Sequence, residues 1–220
     1  SLLRSLPNVD PDRIGLTGIS WGGYLTCIVA GVDDRFKVAV PVYGCGYIHE
    51  NSVWNNTFAK MEPAWRKTWV ANFDPSAYLA NAKMPMFFVN GTNDFAYPLD
   101  SYQKSYGLVK NRNLRVTVNM PHGHQQGWAP MEIGLFVDQH LKKGKPLFQF
   151  NADNARIMRV GNDIRMAILQ DHGIEKIAVH WTTDTKNPWQ KRKWETLPAQ
   201  RMVGNATDFF AASLPQSRPV

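Results

Sequence analysis

Gly18-Ile19-Ser20-Trp21-Gly22-Gly23 is the stretch on which the reading of the fold turns. It follows a short apolar run, Arg13-Ile14-Gly15-Leu16-Thr17, and precedes a segment where Leu25, Ile28, Val29 and Val32 recur at the spacing of one helical face. The reading is strand, tight turn, helix, with Ser20 at the apex. This is the G-x-S-x-G pattern of a nucleophile elbow in the setting that motif requires. A serine on such a turn keeps its hydroxyl above the sheet, and Gly18 and Gly22 must be small to let the chain pass. The helix points its N-terminus at the serine, which places the Trp21 backbone N–H to donate to an oxyanion. Glycine turns of this kind also bind phosphate or simply turn a corner, so the assignment depends on partners elsewhere in the chain.

Outward from the elbow, apolar strands and periodic helices alternate. Phe36 to Tyr43 is nearly continuous in apolar residues, as a strand covered on both faces is. Met86 to Asn90 and Leu114 to Asn119 complete four strands, with helices expected around Asp100 to Val109 and Pro130 to Leu141. Between them, residues 47–83 form an insertion carrying Trp54, Trp65 and Trp69, and Asp74-Pro75-Ser76 caps a short helix near its end. The alternation argues a doubly wound parallel sheet over residues 1–146. After the turn-rich Lys142 to Pro146, short alternating stretches separated by turn signals argue a small β-rich, sandwich-like region over residues 147–220.

A serine hydroxyl needs a base, and the base needs an acid to fix its tautomer. Asp94 leaves the Met86–Asn90 strand after Gly91-Thr92-Asn93, and Asp100 reads as a helix-start residue instead. Two histidines compete for the base in Pro121-His122-Gly123-His124. His124 is preferred because it stands further out on the loop, with Gly127 giving it freedom to swing in; His122 is the alternative. Ser20, Asp94 and the histidine pair all lie just past strand ends, where ligands bind in sheets of this kind. Trp21, Tyr43 and Trp54 are the expected substrate-facing side chains. The His-x-His pair has no carboxylate or cysteine at metal-ligand spacing, so neither a metal nor a cofactor is expected.

Composition bounds the rest. A chain of 220 residues, 44% hydrophobic, is long enough to bury a full core. The net charge of +7 comes largely from short clusters, Lys142-Lys143-Gly144-Lys145 and Lys191-Arg192-Lys193, which read as solvated turns. No nucleic-acid module accompanies them and no apolar run reaches membrane-spanning length, so neither nucleic acid nor membrane is an expected partner. Cys27 and Cys45 make no disulfide framework, and no compartment is assigned.

Residues 10–146 resemble the C-terminal half of an α/β-hydrolase, of the branch holding acetyl xylan esterases, dienelactone-hydrolase-like enzymes and prolyl-oligopeptidase-like peptidases. The resemblance rests on Asp12-Arg13-Ile14-Gly15-Leu16-Thr17-Gly18-Ile19-Ser20-Trp21-Gly22-Gly23-Tyr24, on Asn90-Gly91-Thr92-Asn93-Asp94 and on Pro121-His122-Gly123-His124. The order Ser20, Asp94, His is that of the superfamily. The resemblance implies acyl transfer through a serine ester, on a small-molecule or carbohydrate ester. A prolyl-oligopeptidase-like peptidase is the enzymatic alternative, and an inactive fragment or binding scaffold the non-enzymatic one. One departure stands out. Such folds carry several strands before the elbow, and an early loop supplies a second oxyanion donor; here one strand precedes Ser20. The expectation is that a further N-terminal segment or a second chain completes the sheet, and that residues 1–220 alone self-associate.

Overall fold

The computed structural model describes residues 2–148, 155–161, 163–168, 174–203 and 209–215. These divide into two compact units, Ser1–Leu147 and Phe148–Val220.

In the first unit a short helix α1 (Leu2–Ser5) precedes strand β1 (Gly15–Ile19), and helix α2 (Trp21–Val32) follows the elbow directly. Strand β2 (Val38–Val42) is Val-Ala-Val-Pro-Val, stiff at χ1 and fully buried along its length, as the continuous apolar run led one to expect. The insertion then forms α3 (Asn55–Lys60) and α4 (Pro63–Phe73). Helix α4 starts where it does because Pro63 pre-sets the first turn and the Glu62 carboxylate accepts from the Ala64 and Trp65 N–H groups. Strand β3 (Met86–Asn93), helix α5 (Leu99–Gly107), strand β4 (Arg112–Pro121) and helices α6 (His124–Trp128) and α7 (Glu132–Leu141) complete the unit.

The four strands pair in parallel in the order β1-β2-β3-β4, so their C-terminal ends lie along one side. The expected parallel sheet is therefore present. Its core is centred on β2 and β3, with Val38, Val40, Val42, Phe88 and Val89 wholly buried. Each such side chain contributes about 1.5–3 kcal/mol of burial. The Trp-rich insertion is tied to this core by the Tyr24 hydroxyl, which donates to the Phe73 carbonyl at 2.6 Å, and by Asp74. Asp74 Oδ1 accepts from Tyr47 at one end of the insertion and from Ser76 at the other, at 2.9 and 2.8 Å.

The second unit is β-rich and antiparallel, as expected. Strands β5 (Ala155–Val160), β6 (Asp163–Ile168), β7 (Ile177–Trp181), β8 (Glu195–Met202) and β9 (Phe209–Ser213) join in the order β5-β6-β9-β8-β7 into one sheet. Among the described residues no helix is long and apolar enough to cross a membrane.

The elbow separates two glycines that the sequence treats alike. A Cβ on Gly18 would run into the Gly22 backbone, whereas a Cβ on Gly22 meets nothing within 4 Å. The constraint is on Gly18; Gly22 matters as the surface it approaches. Gly18→Ala should therefore cost about 1–3 kcal/mol in urea unfolding, the usual penalty of overpacking. Gly22→Ala should be neutral or stabilising by up to about 1 kcal/mol, because it exchanges a helical glycine for alanine.

Candidate active site

Strand register brings the site residues together two at a time. Ile19 of β1 pairs with Val42 of β2, so Ser20 and Tyr43 emerge side by side; the Ser20 N–H bonds the Val42 carbonyl at 3.0 Å. Asn93 of β3 pairs with Pro121 of β4 across an irregularity, so Asp94 and His122 emerge together. The two pairs start three strand spacings apart at their extremes, about 14 Å from β1 to β4. The chain after β4 closes that gap by folding back over the end of β2. The Tyr43 hydroxyl donates to the Gly123 carbonyl at 2.9 Å, with the Pro121 carbonyl sharing the proton at 3.2 Å, and accepts from the Gly123 N–H at 3.3 Å.

Ser20 has φ 58° and ψ −119°, a left-handed backbone that a serine adopts only when its surroundings impose it. Its Oγ lies 3.0 Å from His122 Nε2, and His122 Nδ1 lies 3.0 Å from Asp94 Oδ2. Asp94 is 1% exposed. Its other oxygen accepts from the Ala96 and Tyr97 N–H groups at 2.7 and 3.0 Å, which fixes the carboxylate and leaves Oδ2 for the histidine. With Nδ1–H donating to Asp94, Nε2 presents its lone pair to the serine proton. The arrangement has the parts needed to deprotonate a serine.

The preference for His124 as the histidine of this set is corrected here. Strand β4 runs on to Pro121, the chain bends at His122, and after the extended Gly123 His124 opens α6 as an exposed residue. Standing further along the chain carries it outward, whereas His122 stays next to Asp94. Nor does Gly127 provide freedom. It is buried in α6, where an added Cβ would lie 2.6 Å from the Tyr43 ring and 2.8 Å from Ile19, so the helix is seated tightly on the sheet.

The aromatic expectations divide. Trp21 is 47% exposed at the start of α2, with the half-buried Trp54 ring 4.7 Å away, so both stand beside the elbow. Tyr43 is wholly buried and its hydroxyl is committed to the 121–123 loop, so its place is under His122, at 4.4 Å between rings, and not on a substrate-facing wall. Trp69 packs into the core against Phe58, while Trp65 is exposed. Phe95 and Tyr97 flank His122 at 5.2 and 6.1 Å and were missed by the sequence reading. The available signal was that both fall in the turn whose amides bind Asp94. Among the described residues no group of three or more His, Cys, Asp or Glu could hold a metal ion. Burial pushes the Cys27 and Cys45 thiols well above their usual range, so both are held as neutral thiols.

A model of the prolyl oligopeptidase family, peptidase S9, matches residues 1–131. The chain belongs to that family. It is 25% identical over 159 residues to a Bacillus subtilis (strain 168) protein named uncharacterized peptidase YuxL, covering 61% of this chain and 23% of that one. It superposes on the acetyl xylan esterase of Paenibacillus sp. R4 with a TM-score of 0.57 and 20% identity, over 64% of this chain and 49% of the esterase. With the acylaminoacyl peptidase of Pyrococcus horikoshii the TM-score is 0.51 at 24% identity, over 67% of this chain and 27% of the peptidase. Both structural matches bear on the fold. The chain spans about half the length of the esterase and less than a quarter of the Bacillus relative.

Tyr43→Phe would leave the Gly123 and Pro121 groups without their shared partner. It should cost about 1–3 kcal/mol in denaturant unfolding, the penalty for orphaning buried polar groups. A loss within experimental error would mean that the loop is held by packing alone.

Proposed function

We propose that this member of the prolyl oligopeptidase family is a serine hydrolase acting by acyl transfer, with Ser20 as nucleophile, His122 as general base and acid, and Asp94 as the group that orients the histidine. The observation carrying the reading is the unbroken chain of two 3.0 Å contacts from Ser20 Oγ through His122 to Asp94. His122 Nε2 takes the serine proton as Oγ attacks the acyl carbon, and Asp94 stabilises the imidazolium that forms. The Trp21 N–H, first in α2 and without a carbonyl one turn earlier to bond, is the assigned donor to the oxyanion. His122 then protonates the leaving group, and water releases the acyl-enzyme.

For substrate we propose a carboxylic ester of a small molecule or carbohydrate. Support comes from the Trp21–Trp54 pair beside Ser20, since indole faces stack on sugar rings and bury large apolar area. The second reading is peptide-bond cleavage, favoured by the family match over residues 1–131. Turnover of p-nitrophenyl acetate set against a peptide anilide separates the two: ester turnover with no anilide cleavage supports the first, and the reverse result replaces it.

Ser20→Ala and His122→Ala should each lower ester turnover by about a thousandfold or more, the usual loss when one member of such a set is removed. His124→Ala should stay within about threefold of the parent chain. A His124→Ala loss matching that of His122→Ala would return the base to His124. Full activity in Ser20→Ala would end the serine-hydrolase reading.

A further inference from the structure

The turn Asp94-Phe95-Ala96-Tyr97 hides three of its four residues and sends the other outward. Asp94, Ala96 and Tyr97 are 1%, 3% and 0% exposed, while Phe95 is 54% exposed. An exposed phenyl ring is not by itself a sign of function; Phe73 of the insertion shows as much of its surface. Phe95 differs in its neighbour. Its ring stands against the His122 imidazole, with 5.2 Å between centroids and 68° between planes, an edge-to-face contact. Tyr43 and Tyr97 also lie beside that imidazole, but both are wholly buried and have no surface to offer a substrate. Among the described rings beside His122, Phe95 alone keeps a free apolar surface.

The chemistry of acyl transfer says what meets that surface. In the tetrahedral intermediate the acyl carbon is bonded to Ser20 Oγ, to the oxyanion, to the acyl chain and to the leaving oxygen. The oxyanion goes to the Trp21 N–H at the elbow. The leaving oxygen must come within about 3 Å of His122 Nε2, the atom that returns the proton. Nε2 thus fixes where the alcohol half of the ester begins. Tyr43 and Tyr97 fill the buried surroundings of the imidazole, so the rest of the alcohol runs outward, and Phe95 borders that route. We propose that Phe95 sets specificity for the alcohol half, and that the site favours esters whose leaving alcohol carries a ring with an apolar face over small open-chain ones. The inference rests on the serine-hydrolase reading and names the substrate class of that same site. Contact between the two rings removes apolar surface from water on both. An alcohol that attacks the acyl-enzyme occupies the same place, by microscopic reversibility. Its proton passes to Nε2 and its oxygen bonds to the acyl carbon. The bond from that carbon to Oγ then breaks, its electron pair passes to Oγ, and the proton on Nε2 moves there.

The test compares the full chain with Phe95→Ala and Phe95→Tyr on cyclohexyl acetate and isopropyl acetate, esters of two secondary alcohols that differ in the ring. The kcat/KM ratio of the first to the second is expected to fall by about tenfold or more in Phe95→Ala, the usual worth of a small apolar contact in a specificity pocket. In Phe95→Tyr, which keeps the ring, the ratio is expected within about threefold of the parent. A second measurement forms the acetyl-enzyme with p-nitrophenyl acetate and reads acetyl transfer to cyclohexanol against isopropanol, supplied together. That ratio is expected to fall by a similar factor in Phe95→Ala, although both alcohols draw on one acyl-enzyme. Unchanged ratios overturn the inference even where every rate drops, because a ring that only shields His122 and Asp94 from water slows all esters alike. A fall in the ester ratio without one in the transfer ratio also overturns it, by taking the ring off the alcohol's path. If Phe95→Ala melts well below the parent, Phe95→Leu decides in its place, with a fall in both ratios expected and unchanged ratios overturning the inference. A parent chain that takes neither acetyl nor a fluorophosphonate on Ser20 overturns the serine-hydrolase reading and this inference together. A parent that is acetylated normally, with ratios that do not move with residue 95, overturns this inference alone.

Discussion

The contact between the Tyr43 hydroxyl and the 121–123 loop is the interaction on which the site depends. Parallel pairing delivers Ser20 to one edge of the sheet and His122 to the other, and no hydrogen bond of the sheet itself joins those edges. Tyr43 sits at the end of the central strand β2 with φ 67°, its N–H bonded to the Val89 carbonyl at 2.7 Å. From there its ring reaches under His122 and its hydroxyl takes hold of the loop backbone. One side chain, wholly buried and on a residue tied by its N–H to β3, therefore sets how far the histidine comes back toward the serine. Left-handed backbone at two adjacent strand ends, Ser20 and Tyr43, is the local strain that this construction carries, and strain of that kind persists only where surrounding packing over-determines it.

Much of this was legible in the sequence, and the parts that were not share a cause. The strands lay where apolar runs and β-branched residues placed them, because β2 and β3 are buried on both faces and periodicity has a simple reading there. The elbow was legible because the glycine pattern answers a steric demand that few other residues satisfy, although the demand turned out to fall on Gly18 and not on Gly22. The choice between His122 and His124 was not legible. It depends on where β4 ends and on the bend at His122, and strand ends are what local patterns define least well. Tyr43 was misassigned for a related reason: a tyrosine after a buried strand reads as a wall residue, and only the tertiary course of a loop 78 residues later gives its hydroxyl partners.

The aromatic groups around the histidine form a single environment, although they come from four separate segments of the chain. Tyr43, Phe95 and Tyr97 lie within 4.4 to 6.1 Å of the His122 ring, and Trp54 extends the set to Trp21. Rings at these distances keep water from the imidazole and lower the local dielectric. That strengthens the Asp94–His122 contact and raises the cost of any charge left without a partner. Asp94 meets that condition in the resting chain: it has two amide donors and the histidine, and its side chain has no exposed surface.

The same low dielectric gives the turn Asp94-Phe95-Ala96-Tyr97 a second consequence. Its amides fix the carboxylate, its Phe95 and Tyr97 rings flank His122, and its last side chain ends in the one hydroxyl of the set without a partner. Four consecutive residues thus supply the carboxylate and two of the rings around His122, while the elbow positions Ser20. A change in this turn acts on Asp94 and on the surroundings of His122 together, because both are set by one short piece of backbone. Substitutions within it should be strongly non-additive with substitutions at His122, whereas substitutions at the solvent-exposed Trp65 of α4 should add independently.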